Sequence, residues 1–312
     1  MLLKDIIKKT QRAFARWLLY FFCWIFSWVP YSFVHLIAKE VLAIGSQLVI
    51  RQRKIARQSL RLAFGDEKDP QEIDRIFHQC FENLGHGLIE IVYGMMNPGV
   101  VSKNVYFEGK EHLDEALAKG KGVIAVTAHF GNFPLMMLYC ARVGYKTSAI
   151  VRTMRDEHLE KFLLKKRSEC GLSTIYALPR NKCVSDTFKA LKDNNIVFIP
   201  MDQNFGTGAG VFVEFFGRKA ATATGPVIFA MRSGASILPM FIIRQSDGRH
   251  KIVIEKPLVL EEKEDMDRTL VYNIQKITAL IEQYVRRYPH EWSWMHRRWK
   301  YKPYSMQFVP NC

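Results

Sequence analysis

The chain has 312 residues, 48% of them hydrophobic, and a formal net charge of +15. That is enough apolar material for one large α/β domain plus an appendage, and it excludes a disordered chain. The charge favours an acidic protein, an anionic lipid or a nucleic acid as partner, and by itself it does not choose among them.

In chain order, the first feature is a stretch from Trp17 to Ala38 that holds no Asp, Glu, Lys or Arg and is crowded with Trp, Tyr and Phe. A bilayer core is about 30 Å thick and the stretch is just long enough to cross it, but Pro30 ends or kinks the helix about two-thirds of the way along. We read residues 1–45 as a membrane anchor rather than a clean span, with a buried core helix as the alternative. Cations flank both ends, Lys4 to Arg16 before and Arg51 to Arg61 after, so orientation is not encoded in the charge. No small-residue cleavage site follows, which argues against a signal peptide.

Residues 46–312 read as one domain. Ile73, Ile76, Phe77, Cys80, Phe81, Leu84 and Leu88 recur at helical spacing over 71–95. Strand-like runs then follow at 122–128, 147–151, 196–201, 236–243 and 251–255, separated by helix-like runs at 133–143, 157–170, 184–193 and 223–233. A last helix over 266–287 leads to an aromatic, basic tail. This alternation predicts an α/β fold with a mostly parallel central sheet covered by helices, preceded by the N-terminal anchor helix. The six cysteines show no C-x-x-C pair and no spacing with histidine that suggests zinc, and they read as reduced thiols in a cytosolic compartment.

The most informative segment runs from Ala128 to Leu135. His129 leaves a buried strand and stands before a helix, where open α/β sheets carry their chemistry. Gly131 beside it lets backbone approach a ligand, and Asn132 is able to cap the next helix. His129 reads as a general base, a histidine that merely ends a strand being the plainer alternative. There is no G-x-S-x-G elbow, no P-loop and no G-x-G-x-x-G, so hydrolase, nucleotide and dinucleotide readings weaken. The glycines at 206, 208 and 210 read as a mobile, substrate-facing loop between Asp202-Gln203 and Phe215-Phe216-Gly217.

Three segments together resemble one family: Thr127 to Asn132, Asp202-Gln203 with Phe212 to Thr222, and Trp294 to Lys300 look like the bacterial lipid A biosynthesis acyltransferases, over nearly the whole chain. The resemblance implies transfer of a fatty acyl group from an acyl carrier protein thioester, or acyl-CoA, to a hydroxyl of an anionic lipid at the cytoplasmic face of the inner membrane. It implies no cofactor and no metal. A basic chain with an anchor suits an acidic carrier and an anionic lipid, and together with the missing nucleic-acid motifs the anchor removes nucleic acid as a partner.

In that scheme His129 takes the proton of the attacking hydroxyl, and amides near Gly131 and Asn132, the helix N-terminus or Arg152 stabilise the developing oxyanion. Gln203, Phe215, Phe216 and Gly217 are expected near the substrate, as are Arg297 and Arg298, whose alternative is bracing a packed tail. One departure stands out. The family motif is His, four residues, then Asp or Glu, and this chain has Pro134 at that place. Asp202 and Glu214 are the candidates to supply the missing carboxylate. The acceptor is a lipid A precursor, a related glycolipid or a lysophospholipid; a catalytically weak lipid-binding protein is the alternative that Pro134 leaves open.

Overall fold

The computed structural model describes residues 2–30, 33, 49–206 and 210–303, with side chains at Thr10 and from residue 13 onward apart from Pro98, Val101 and Ser102. Helix α1 (Leu2–Phe26) is followed by α2 (Ile50–Phe64), α3 (Pro70–Met96) and the short α4 (Pro98–Asn104). Next come β1 (Val105–Glu108), α5 (Lys110–Ala118), β2 (Val123–Thr127), α6 (Phe133–Arg142), β3 (Thr147–Val151), α7 (Glu157–Glu169) and β4 (Leu172–Tyr176). The chain continues through α8 (Arg180–Lys192), β5 (Ile196–Pro200), the hairpin β6 (Gly210–Phe215) and β7 (Arg218–Ala223), α9 (Gly225–Ser233), β8 (Ser236–Arg244), β9 (His250–Ile254) and α10 (Met266–Arg287).

Seven strands form one sheet in the order β1-β9-β8-β2-β5-β3-β4, and β6-β7 stand apart as a two-stranded ribbon. From β8 to β4 every pairing is parallel; only β9 turns back against β8, taking β1 with it. The expected mostly parallel, covered sheet is therefore the observed one. Strand β2 is buried at every position because helices cover both of its faces, which is why its sequence runs apolar without alternating. Helix starts carry their own signals: Asp69 accepts a hydrogen bond from the Glu72 amide ahead of Pro70, and Asp265 accepts one from Arg268 N–H.

Strands β1, β4, β6 and β7 and helices α2, α4 and α5 were not anticipated. Strand β4 is an edge strand whose exposure alternates irregularly, and β6-β7 lie outside the main sheet on α10, so neither shows the apolar run of a covered strand.

Helix α1 is amphipathic rather than apolar all round. Its inner face packs Phe26 on Tyr93 of α3 and Tyr20 on Phe162 of α7, and Arg16 pairs with Asp156 at 2.7 Å. Its outer face carries Phe14, Trp17, Phe21 and Trp24 at spacings of three and four, continued by Trp28; Trp17 and Trp24 are 65% and 64% exposed. Among the described residues no helix is long and apolar enough to cross a membrane. The rest of the aromatic stretch, and the boundary expected at residue 45, lie outside the described residues.

Candidate active site

His129 sits two residues beyond the end of β2, at the carboxyl edge of the sheet. The turn that carries it is clipped to the C-terminal segment: the Gly131 amide donates to the Glu291 carbonyl at 2.8 Å, and Ser293 N–H donates to the His129 carbonyl at 2.9 Å. Gly131 holds a positive φ of +54°, and a Cβ there would meet the Ile242 carbonyl oxygen of β8 at 2.0 Å. The glycine thus lets the turn approach β8, and it also lines the smaller of the cavities beside His129.

Asn132 caps α6, accepting from Leu135 N–H at 3.3 Å, with Pro134 in the first turn. Its amide nitrogen donates to Glu90 Oε2 at 3.0 Å and to the Gly87 carbonyl at 3.2 Å. The side chain is buried and its polar atoms are committed to this scaffold, while the residue lines the smaller cavity that opens on His129. Beneath it, Arg244 forks onto both Glu90 carboxylate oxygens, with Nη2 at 2.8 Å from Oε2. Burial opposes charge on Glu90, but Arg244, His250 and Asn132 outweigh it and hold the carboxyl below its usual range. Glu291, buried nearby with its own carboxylate turned to the Arg244 amide, is pushed up to about 7 by burial, which Arg244 only partly offsets.

Asp202 follows β5, the strand next to β2, and its carboxylate meets His129 directly. Its Oδ1 lies 2.8 Å from His129 Nδ1, while Oδ2 accepts from the His129 amide at 2.9 Å and from the Trp292 indole N–H at 2.7 Å. Burial opposes charge on Asp202, but His129 and these donors overcome it, so its pKa lies well below the ordinary carboxylate value. An ionised carboxylate only accepts, so the proton of neutral His129 is on Nδ1 and the lone pair is on Nε2. Burial works against charge on the imidazole as well; Asp202 outweighs it and raises the His129 pKa. A ring held in this tautomer with Nε2 facing a cavity is what proton abstraction needs.

Of the two carboxylates expected to stand in for the residue missing at Pro134, only Asp202 reaches the histidine. Glu214 lies exposed on β6, paired with Lys219 at 3.2 Å. Gln203 turns its amide nitrogen to His129 Nε2 at 2.9 Å and to His296 Nε2 at 3.2 Å. Arg298 is fully buried and donates to the carbonyls of Gln203 and Ala221 and to Thr222 Oγ1, so it braces the Gln203 segment instead of facing solvent. Arg297 is exposed, and Arg152 is exposed just beyond β3. Phe215 and Phe216 are buried in the aromatic cluster with Trp292, Trp294 and Trp299, away from the cavity, and Gly217 makes the β6-β7 turn at a φ of +66°. Gly206 packs under the Tyr301 ring, and the rest of the glycine loop, residues 207–209, lies outside the described residues.

Two cavities open on His129. One of about 530 Å³ runs beneath α6 and α7 and over the sheet, lined by Ile91, Met95, Met137, Ala149, Leu163 and Leu172 among others, with Gln203 and Arg152 at its mouth. The smaller, about 160 Å³, lies on the α3 side between Asn83, Leu88, His290 and Glu291. Pro134 lines both. The large cavity is lined by Ala149 and Val151 of β3 and by Leu172 of β4, which is in register with Thr147. The four register steps from Val151 to the level of Leu172 span about 13 Å.

The profile of the family described as bacterial lipid A biosynthesis acyltransferase matches residues 4–301. The chain belongs to this family. It is 25% identical over 296 residues to the lipid A biosynthesis lauroyltransferase of Escherichia coli, covering 94% of this chain and 93% of that one. It is likewise 25% identical over 303 residues to the palmitoleoyltransferase of the same organism, covering 95% and 96%. Over 134 residues, 42% of each chain, it is 28% identical to the phosphatidylinositol mannoside acyltransferase of Mycobacterium tuberculosis. The protein is thus an acyltransferase.

The sequence did not single out Glu90 or Arg244, and it offered Trp292 and His296 only as members of the aromatic, basic tail, not as partners of His129. His296 stands inside the recognised tail motif, which offered a signal for its place if not for its contacts. Glu90 and Arg244 lie far apart in the chain within apolar runs, and a lone charge in such a run was the available hint of a buried pair.

Proposed function

We propose that this acyltransferase moves a fatty acyl chain directly from a carrier-protein thioester to a hydroxyl of a lipid A precursor or related glycolipid, with His129 as general base. The observation that carries this reading is the His129–Asp202 contact at the mouth of the 530 Å³ apolar cavity. His129 Nε2 takes the hydroxyl proton as the oxygen attacks the thioester carbonyl, and Asp202 holds the tautomer and steadies the imidazolium. The cavity shelters the acyl chain from water.

Pro134 does not argue for a weak binding protein, because Asp202 reaches the imidazole from β5 in place of a residue on α6. The exposed aromatic stripe of α1 fits a helix lying in the bilayer interface at the cytoplasmic face of the inner membrane. Its inner face rests on α3 and α7, which also wall the acyl cavity, so a bilayer-bound α1 sets the cavity beside the lipid. The test is transfer in detergent from a labelled acyl carrier protein, with a lipid A precursor and a lysophospholipid offered side by side. His129-dependent product on the lipid A precursor supports the reading; product on the lysophospholipid alone reassigns the acceptor, and no product with either acceptor overturns it.

A further inference from the structure

The acyl-transfer reading needs donors for the negative charge that forms on the thioester carbonyl oxygen, and several donors beside His129 are already engaged. The Gly131 amide donates to Glu291 and the Leu135 amide to Asn132, while the His129 amide and the Asn132 side chain serve Asp202 and Glu90. Two side chains converge on the open face of the base instead. Gln203 Nε2 is 2.9 Å from His129 Nε2 and 3.2 Å from His296 Nε2, and the two imidazole centroids are 5.0 Å apart.

We propose that His296 is a catalytic residue, whose Nε2–H, together with the Gln203 amide, forms the oxyanion site for the thioester carbonyl. The assignment rests on the acyl-transfer reading.

Resting geometry carries the argument. Gln203 occupies the place where the acceptor hydroxyl must approach His129 Nε2, and His296 Nε2 lies against the same Gln203 nitrogen. A hydroxyl oxygen within hydrogen-bond reach of His129 puts the adjacent carbonyl oxygen within reach of His296, as donors aimed at a developing oxyanion require. The position of His296 is fixed: its carbonyl accepts from Ser59 Oγ at 3.2 Å, and it lies between the buried Trp294 and Arg298.

His296 is also kept neutral. Burial first, then the neighbouring His129, lower its pKa, against a smaller opposing pull from Asp202. A neutral imidazole polarises a carbonyl without competing for the proton that His129 must accept. At rest the Gln203 amide donates to His296 Nε2, leaving the His296 proton on Nδ1. When the thioester carbonyl displaces that contact, the ring takes the Nε2–H tautomer.

In the reaction, the hydroxyl oxygen bonds to the thioester carbon as its proton passes to His129 Nε2. The carbonyl π pair moves onto oxygen, where Gln203 and His296 donate to it. Collapse restores the carbonyl and breaks the carbon–sulfur bond, and the departing sulfur takes the proton from His129. The products are the ester and a free carrier thiol.

The test uses the full-length protein with acyl carrier protein thioester and lipid A precursor, comparing wild type, His129→Ala, His296→Phe and His296→Gln. His296→Phe is expected to lower kcat by about 10²- to 10³-fold with KM for either substrate nearly unchanged. His296→Gln, which restores a donor, recovers most of that loss. A second readout is the carbonyl stretch of a ¹³C-labelled acyl thioester bound to His129→Ala, where the base is gone. The band lies at lower frequency than for the free thioester, and adding His296→Phe removes the shift. If His296→Phe does not fold, His296→Met serves for both readouts.

Turnover of His296→Phe within threefold of wild type, or a carbonyl band indifferent to His296, overturns the assignment while His129-dependent activity leaves the acyl-transfer reading standing. A wild type that transfers no acyl group overturns both.

Discussion

Replacing Asp202 with asparagine tests the dyad with little change of shape. The residue is 2% exposed, and its carboxylate accepts from three donors: His129 Nδ1–H, His129 N–H and the Trp292 indole. An amide offers one acceptor oxygen. If that oxygen faces His129 Nδ1–H, the NH₂ is driven against two N–H groups. Turned the other way, it satisfies the His129 amide and Trp292, and its NH₂ meets Nδ1. The second orientation keeps more hydrogen bonds and forces the imidazole proton onto Nε2, where no lone pair remains for the acceptor hydroxyl. The same exchange in a serine-protease triad costs about 10⁴ in turnover, or about 5.4 kcal/mol of barrier, and we expect a loss of that order.

The pH profile supplies a second readout. The proposed mechanism needs neutral His129, and Asp202 raises its pKa, so wild-type kcat/KM is expected to fall with acid through a value above about 6.5. In Asp202→Asn the residual activity should fall through a lower value, because only burial then acts on the ring. Stability follows the opposite limb. The lowered Asp202 pKa stabilises the fold above its unfolded value of about 4 and ceases to do so as pH falls through the folded value. Asp202→Asn therefore costs stability at neutral pH, and the gap to wild type narrows in acid. Turnover within threefold of wild type, or an unmoved acid limb, refutes the dyad.

Three further outcomes are expected. Ala149 lies halfway down the large cavity, so Ala149→Phe should shift preference in a mixture of acyl donors toward shorter chains by at least about tenfold, roughly 1.4 kcal/mol, read by mass spectrometry of the product. Arg244→Met leaves the buried Glu90 charge without its fork and should cost about 3–5 kcal/mol in urea unfolding, with Glu90→Leu added to Arg244→Met restoring part of it. Replacing Trp17, Trp24 and Trp28 together with serine should weaken cosedimentation with anionic vesicles by at least about tenfold and leave the melting temperature nearly unchanged, since their faces turn outward.

What the sequence made legible follows from where the physics is local. The β2 run, the Asn132 cap and the position of His129 at a strand exit are short-range features, and each is where the periodicity put it. Contacts made across the sheet were less legible. Asp202 could be nominated but not separated from Glu214, because strand order decides that β5 lies beside β2 while β6 leaves the sheet. Gly131 was assigned to ligand approach, whereas the neighbour it accommodates is the Ile242 carbonyl, which no local pattern encodes. The tail resisted most: its tryptophans and cations suit a lipid boundary as well as a core, and only the pairing of Phe130 with Trp292 turns that segment into a wall of the site. Helix α1 was legible in its rings but not in its two-sidedness, which depends on Tyr20 and Phe26 finding α7 and α3.

The proposed chemistry is direct transfer with His129 as base. Its most direct test is a single-turnover experiment with labelled acyl carrier protein and lipid A precursor, following product by quenched sampling and the protein by intact mass. Wild type is expected to give product with no acylated protein at any time, and His129→Ala to give none. Product from His129→Ala, or an acyl-protein adduct that forms and decays at the rate of turnover, contradicts it.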